Sequence, residues 1–326
     1  MRHFLAAALL AASPALGGVT EALDAHILPG YAGFAEASAA LAEAAGADCT
    51  APALAAPYHA AFDAWMRVGD IRMGPSEHGA LAIVFWPDAR GFTQKTLQRL
   101  IAAQDPVIDD PAAFADVSIA GRGLFALDML LFDTAFSGYA PQSYACRLAQ
   151  RLTADLAAQA AALDAEWADS FAAVLRSAGA PDNATYLSEQ EAVRALYTQI
   201  LSSLEFTRDS RLGNPLGTFE RPRPARAEAR RSGRSLRNAV AATDAAVEFA
   251  EALADWELPA TRAALDLVHE AADKIGDPAF ADIDDLGERF KVEVLQQKIQ
   301  GVETAIEEEI GLVLGLQPGF NSQDGD

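Results

Sequence analysis

A single carboxylate inside a greasy helix is the clearest place in this chain where chemistry could reside. Asp128 lies in the run Ser118 to Asp133, SIAGRGLFALDMLLFD, flanked by Leu124, Phe125, Leu127, Met129, Leu130 and Leu131. A helix that is apolar on all faces is buried, and a buried charge needs a cation, a set of donors or a metal beside it. Arg122 stands six residues away, which is not a helical neighbour distance, so the partner has to come from elsewhere in the chain. The densest supply is a Pro-, Gly- and Arg-rich connection carrying Arg221, Arg223, Arg226, Arg230, Arg231, Arg234 and Arg237, with Ser235 at its end. Two readings stand side by side. One is a structural Asp–Arg pair in the core; the other is a cleft lined by Asp128 and by basic or hydroxyl groups such as Arg230 and Ser235. Only two or three of the arginines could converge on one ligand before mutual repulsion opposed them.

Other reactive side chains are sparse. His78, next to Glu77 in an irregular stretch, is a candidate site residue because loops are enriched in function, and no His in the chain has the helical spacing of a metal site. Nucleophile elbow, phosphate-binding Gly loop and HExxH signatures are missing. Cys49 and Cys146 lack zinc spacing, and an even number in an exported chain favours a disulfide, with two buried thiols as the alternative.

The elements that must position these groups are helical. Of 326 residues, 51% are hydrophobic, and alanine recurs in runs that favour helix over strand. Apolar residues repeat at three- and four-residue steps from Thr20 to Ala45 and again from Leu54 to Val68. Gly69 to Gly91 reads as an irregular, packed connection whose LAIVFWP segment is strand-like, anchored by Trp86 and Pro87. Thr93 is the expected cap of the next helix. Long helices follow from Gln142 to Gly179, Leu187 to Asp209, Ser235 to Trp256, Pro259 to Ile275 and Asp282 to Leu316. The pattern predicts an all-α protein of two antiparallel helical bundles, residues 18–180 and 181–326, divided at APDNATYLS.

Residues 1–17 have a short basic start, an apolar run and small residues at the end, so a cleavable signal peptide and a periplasmic location are expected. No later stretch reaches the roughly 20 apolar residues of a transmembrane span. The formal net charge of −21 argues against nucleic acid or an anionic membrane as main partner.

The segment GRGLFALDMLLFD resembles the signature of the imelysin (peptidase M75) family, G-x-H-x-x-E followed by an apolar helix. HILPGYAGFAEASAALAEAAGADC, RLGNPLGTFERPRPARAEARRSGRSL and PGFNSQDGD resemble further blocks of the same family, so the likeness spans the mature chain. With Gly123 on the family glycine, Phe125 occupies the histidine slot and Asp128 the glutamate slot. The resemblance implies an exported, two-bundle helical protein linked to iron acquisition, with a site in the cleft between its halves. The leading expectation is a non-enzymatic protein that binds or hands over iron or an iron-bearing ligand. Asp128 would be its metal ligand, and Phe125, Arg122, Arg230, Ser235 and His78 its ligand-binding neighbours. Oxygen ligands suit hard ferric iron. Two alternatives remain: a metal-dependent peptidase of the family type, whose machinery is not visible once the histidine is Phe125, or a scaffold that partners an intact imelysin paralogue.

Overall fold

The computed structural model describes residues 18–316, so the expected signal peptide and the PGFNSQDGD block lie outside the described residues. Among the described residues 73% are helical and there is no strand, only an isolated bridge between Thr218 and Arg221. The principal helices are α1 (Leu28–Ala47), α2 (Ala51–Met66), α3 (Ser76–Ile83), α4 (Phe92–Ala103), α5 (Gly123–Phe132), α6 (Tyr144–Glu166), α7 (Glu189–Phe206), α8 (Ser235–Ala254), α9 (Pro259–Ala272) and α10 (Leu286–Ile306). In the first half α1 packs against α2 and α6, and α5 lies against α2 and α6. In the second, α7 packs on α8 and α9 on α10, while α2 and α8 join the two sets. None of the described helices is long and apolar enough to cross a membrane.

Local chemistry explains where the elements start and stop. The expected irregular stretch from Gly69 to Gly91 contains a helix, α3, and the strand-like text is divided. Leu81 to Ile83 close the helix, and Val84 turns extended without a partner strand. Thr93 is not the cap of α4. The Asp88 carboxylate takes that role, accepting from the amides of Phe92 at 3.0 Å and Thr93 at 2.8 Å. The Arg-rich connection begins later than its composition suggests, because a π-helical turn, Thr207–Leu212, and a short helix, Gly213–Leu216, prolong α7.

The central helix is also shorter than its apolar text. Ile119–Gly121 forms a 3-10 turn, Arg122 is extended, and α5 opens at Gly123 with φ +68°. A Cβ on Gly123 would collide with the carbonyl oxygens of Ile83 and Ala82 at the end of α3, so only glycine fits the close approach that sets α5 against α3. Leu124, Leu127 and Leu130 of α5 are fully buried, each contributing about 1.5–3 kcal/mol of hydrophobic stabilisation. A disulfide joins Cys49, after α1, to Cys146 in α6, with Cα atoms 5.3 Å apart.

Candidate functional site

Asp128 is 1% exposed, and it is held by hydroxyl and amide donors. Ser232 donates from its hydroxyl at 2.5 Å and from its backbone amide at 3.2 Å, and the Tyr58 hydroxyl donates from α2 at 3.4 Å. All three bonds end on Oδ1, which leaves Oδ2 without a protein donor among the described residues. Burial pushes the Asp128 carboxyl above the usual range, against the pull of the Ser232 hydroxyl and of the nearby Arg231. The expected Asp–Arg pair is therefore corrected. The Arg-rich connection does supply the partner, but through Ser232, while Arg231 pairs with Asp133 (Nε to Oδ2, 2.6 Å) at the end of α5.

Asp128 forms part of the wall of a cavity of about 160 Å³. One wall is the connection before α4, with Trp86 and Asp88. A second is α5, with Phe125 and Asp128, and a third is the Arg-rich strap, with Arg226 and Arg231. Phe125 is 8% exposed. Its ring lies nearly parallel to Trp86, with centroids 6.4 Å apart, and meets Phe62 edge-on. The Phe in the histidine slot is thus a piece of aromatic wall that contributes area and shape but no proton or metal chemistry. In Asp88, burial pushes the carboxyl up and the amides of Thr93 and Phe92 outweigh it, so the group stays below the usual range, with both oxygens engaged.

Of the six residues expected at the site, Asp128 and Phe125 line the cavity. Arg122 turns toward α6, where it grips Asp155 with two bonds of 3.0 and 2.8 Å and donates to the Ala115 carbonyl. Ser235 is buried and donates to the Glu228 carbonyl at 2.7 Å. Arg230 is half-buried outside the cavity wall, and His78 is exposed on α3. Sequence reasoning missed Ser232, Tyr58 and Asp88. Ser232 has the one legible signal, a Ser-Gly pair inside the arginine run. It ends a 3-10 turn, Arg230–Ser232, set between left-handed Ala229 (φ 44°) and Gly233 (φ 69°), and this sharp geometry aims the hydroxyl at α5.

These groups do not suit a bare metal ion. Among the described residues no group of three or more His, Cys, Asp or Glu side chains stands close enough to hold one. Asp88 is committed to backbone amides, and two guanidinium groups face the same space as Asp128. A hard ferric ion asks for several oxygen ligands and no adjacent cations. The expectation of Asp128 as a ligand to free iron therefore lacks the companion ligands it needs.

A second buried charge cluster secures the strap from behind. Arg211, on the π-helical turn after α7, donates to both oxygens of Asp70 at 2.7 and 2.8 Å and to Glu228 at 3.0 Å. Asn238 donates to Glu228 at 3.1 Å. Burial raises the Asp70 carboxyl and Arg211 outweighs it, so the group sits below its usual range. Glu228 immediately precedes Ala229, so the strap is fixed at the cavity face by Ser232 and at its rear by Arg211.

No curated protein matches the chain. Among solved structures, an imelysin-like protein from Psychrobacter arcticum 273-4 superposes with a TM-score of 0.76 at 18% identity, covering 93% of this chain and 96% of its own. A protein from Parabacteroides distasonis ATCC 8503, assigned as an iron-regulated protein A precursor, superposes with a TM-score of 0.71 at 14% identity, covering 89% and 92%. At such identities the likeness is one of fold. The imelysin family model itself matches residues 27–306, from the turn before α1 to the last residue of α10, and the chain therefore belongs to the imelysin (peptidase M75) family.

Proposed function

We propose that this chain is an exported protein of iron acquisition that binds an iron-bearing small ligand in the Asp128 cavity. The observation that carries the reading is the cavity itself: a buried carboxyl with one open oxygen, an aromatic wall of Trp86 and Phe125, and two arginines. Such a combination of apolar area with a few convergent polar groups is what small-molecule sites are made of. At about 160 Å³ the space falls below the ~300–1,000 Å³ of drug-sized pockets, which favours a compact chelate over a macrocycle such as haem. Support for the iron link comes from what the family resemblance implies and from the iron-regulated description of the Parabacteroides distasonis protein. Support for a periplasmic location comes from the leader-like residues 1–17. In this reading residues 18–180 and 181–326 are the two halves, and the strap of the second closes over α5 of the first. The receiving partner would be another iron-uptake protein or an imelysin paralogue.

The test is calorimetric titration of the untagged mature protein with ferric oxalate, alongside haem and ferric ion without chelator. One binding site for the chelate is expected, with quenching of Trp86 fluorescence and at least about tenfold weaker binding in Asp128→Ala, or roughly 1.4 kcal/mol. Equal binding by wild type and variant, or binding only of unchelated ferric ion, would refute the reading.

A further inference from the structure

The charges around the cavity are arranged for an anion, although the chain as a whole is strongly acidic. Arg226 is exposed at the cavity wall and no carboxylate pairs with it among the described residues. Arg231 spends its Nε on Asp133 and keeps its terminal nitrogens. Both Asp88 oxygens are occupied by backbone amides. The remaining acid, Asp128, has Oδ1 saturated by Ser232 and Tyr58 and only Oδ2 uncommitted.

We propose that the ligand recognised by this cavity is a compact organic oxyanion, such as a small di- or tricarboxylate, taken up together with one proton that rests on Oδ2 of Asp128. This deepens the iron-ligand reading and takes from it the location of the site. Guanidinium groups match carboxylates in shape and charge and hold them with paired hydrogen bonds. A ligand carboxylate set against an ionised Asp128 would instead meet a like charge on a buried group. One proton between the two oxygens turns that repulsion into a charge-assisted hydrogen bond. The balance is simple: the Asp128 carboxylate, the ligand anion and one proton from solvent give a neutral Asp128 donating to the bound anion, with no bond made or broken in the ligand.

The groups that face Asp128 agree with this. Tyr58 from α2 and Ser232 from the strap are donors to Oδ1 and hold the carboxyl group with Oδ2 as its open oxygen. Arg231 and Arg226 are cationic, and Asp88 from the connection before α4 is the one other acid on the wall. Burial already raises the Asp128 carboxyl, which lowers the cost of protonating it.

Oxalate is a suitable probe because both of its carboxylates are ionised around neutral pH, so a pH dependence there reports on the protein. Wild type should bind it more weakly as pH rises, tending to about tenfold per pH unit once Asp128 ionises in the free protein. Proton uptake should appear as a dependence of the binding heat on the buffer's ionisation enthalpy. Asp128→Asn, whose amide imitates the neutral acid, should bind oxalate with no pH dependence. Arg226→Gln, at an exposed position whose side chain makes no hydrogen bond or ion pair among the described residues, should bind at least about tenfold more weakly. A flat pH profile in wild type, the same slope in Asp128→Asn, or unchanged affinity in Arg226→Gln overturns the proposal. Ferric oxalate run in parallel separates the two readings. If only the ferric complex binds, the oxyanion proposal falls and the iron reading stands. If oxalate binds with the stated pH dependence and iron adds nothing, the outcome is reversed.

Discussion

Replacing Arg211 by Met should cost this protein a large share of its stability at neutral pH and progressively less in acid. The side chain is 4% exposed and sits between Asp70 and Glu228, themselves 6% and 2% exposed, with Thr207 accepting a further bond at 2.9 Å. Methionine fills much of the same volume but leaves two buried carboxylates without the guanidinium that bonds to both, and only the more distant charge of Arg72 remains. Breaking a buried pair in this way costs about 3–5 kcal/mol, and at roughly 2 °C per kcal/mol for a chain of this size the melting temperature should fall by about 6–10 °C. The pH dependence follows from Asp70. Its carboxyl is depressed in the folded wild type, so its contribution is present above the unfolded value near 3.9 and is lost as pH falls through the folded value. Without Arg211, burial, the largest influence on this carboxyl, is opposed only by Arg72 and the Ser203 hydroxyl, and the Asp70 carboxyl becomes easier to protonate in the folded variant than in folded wild type. The variant therefore gains stability relative to wild type as pH falls, and the gap between them narrows toward about pH 4. Urea denaturation at pH 7 and at about pH 4, followed by circular dichroism, measures both numbers. Adding Asp70→Asn and Glu228→Gln to the Arg211→Met background should recover most of the loss. A deficit under about 1 kcal/mol at pH 7, a gap that widens in acid, or a triple variant no more stable than the single one refutes the reasoning.

Two further outcomes are expected. Reducing the Cys49–Cys146 disulfide, or replacing both residues with Ser, releases a link across a sequence separation of 97 and should lower unfolding stability by about 2–4 kcal/mol in denaturant titrations with and without reductant; equal midpoints would show that the link contributes nothing. His26 is 1% exposed, stacks on Phe249 at 4.9 Å, and is held by burial and the Arg67 charge at a pKa of about 3. Because the unfolded chain binds the extra proton first, stability should fall as pH drops from about 6.5 toward 3, by up to about 1.4 kcal/mol per pH unit. His26→Phe should remove that share of the slope, and identical acid profiles for the two proteins would argue against it.

The sequence by itself determined the helical class, the burial of α5 and the singularity of Asp128. These are local properties: an apolar run with one acid in it must be buried and must have a partner, whatever surrounds it. Phe125 in the histidine slot was equally legible, since its chemistry is fixed by residue type. Which donors answer Asp128 was decided only in three dimensions. Counting arginines pointed to an Asp–Arg pair, but charge density along a chain says nothing about where each side chain can reach. Arg231 found Asp133, Arg122 found Asp155, and Ser232, held in a sharp turn between two left-handed residues, was the group aimed at α5. Gly123 carries the same lesson. Its spacing to Asp128 was visible in the text, whereas the reason it must be glycine, the carbonyls of Ala82 and Ile83 lying where a Cβ would go, exists only once α3 has folded against α5.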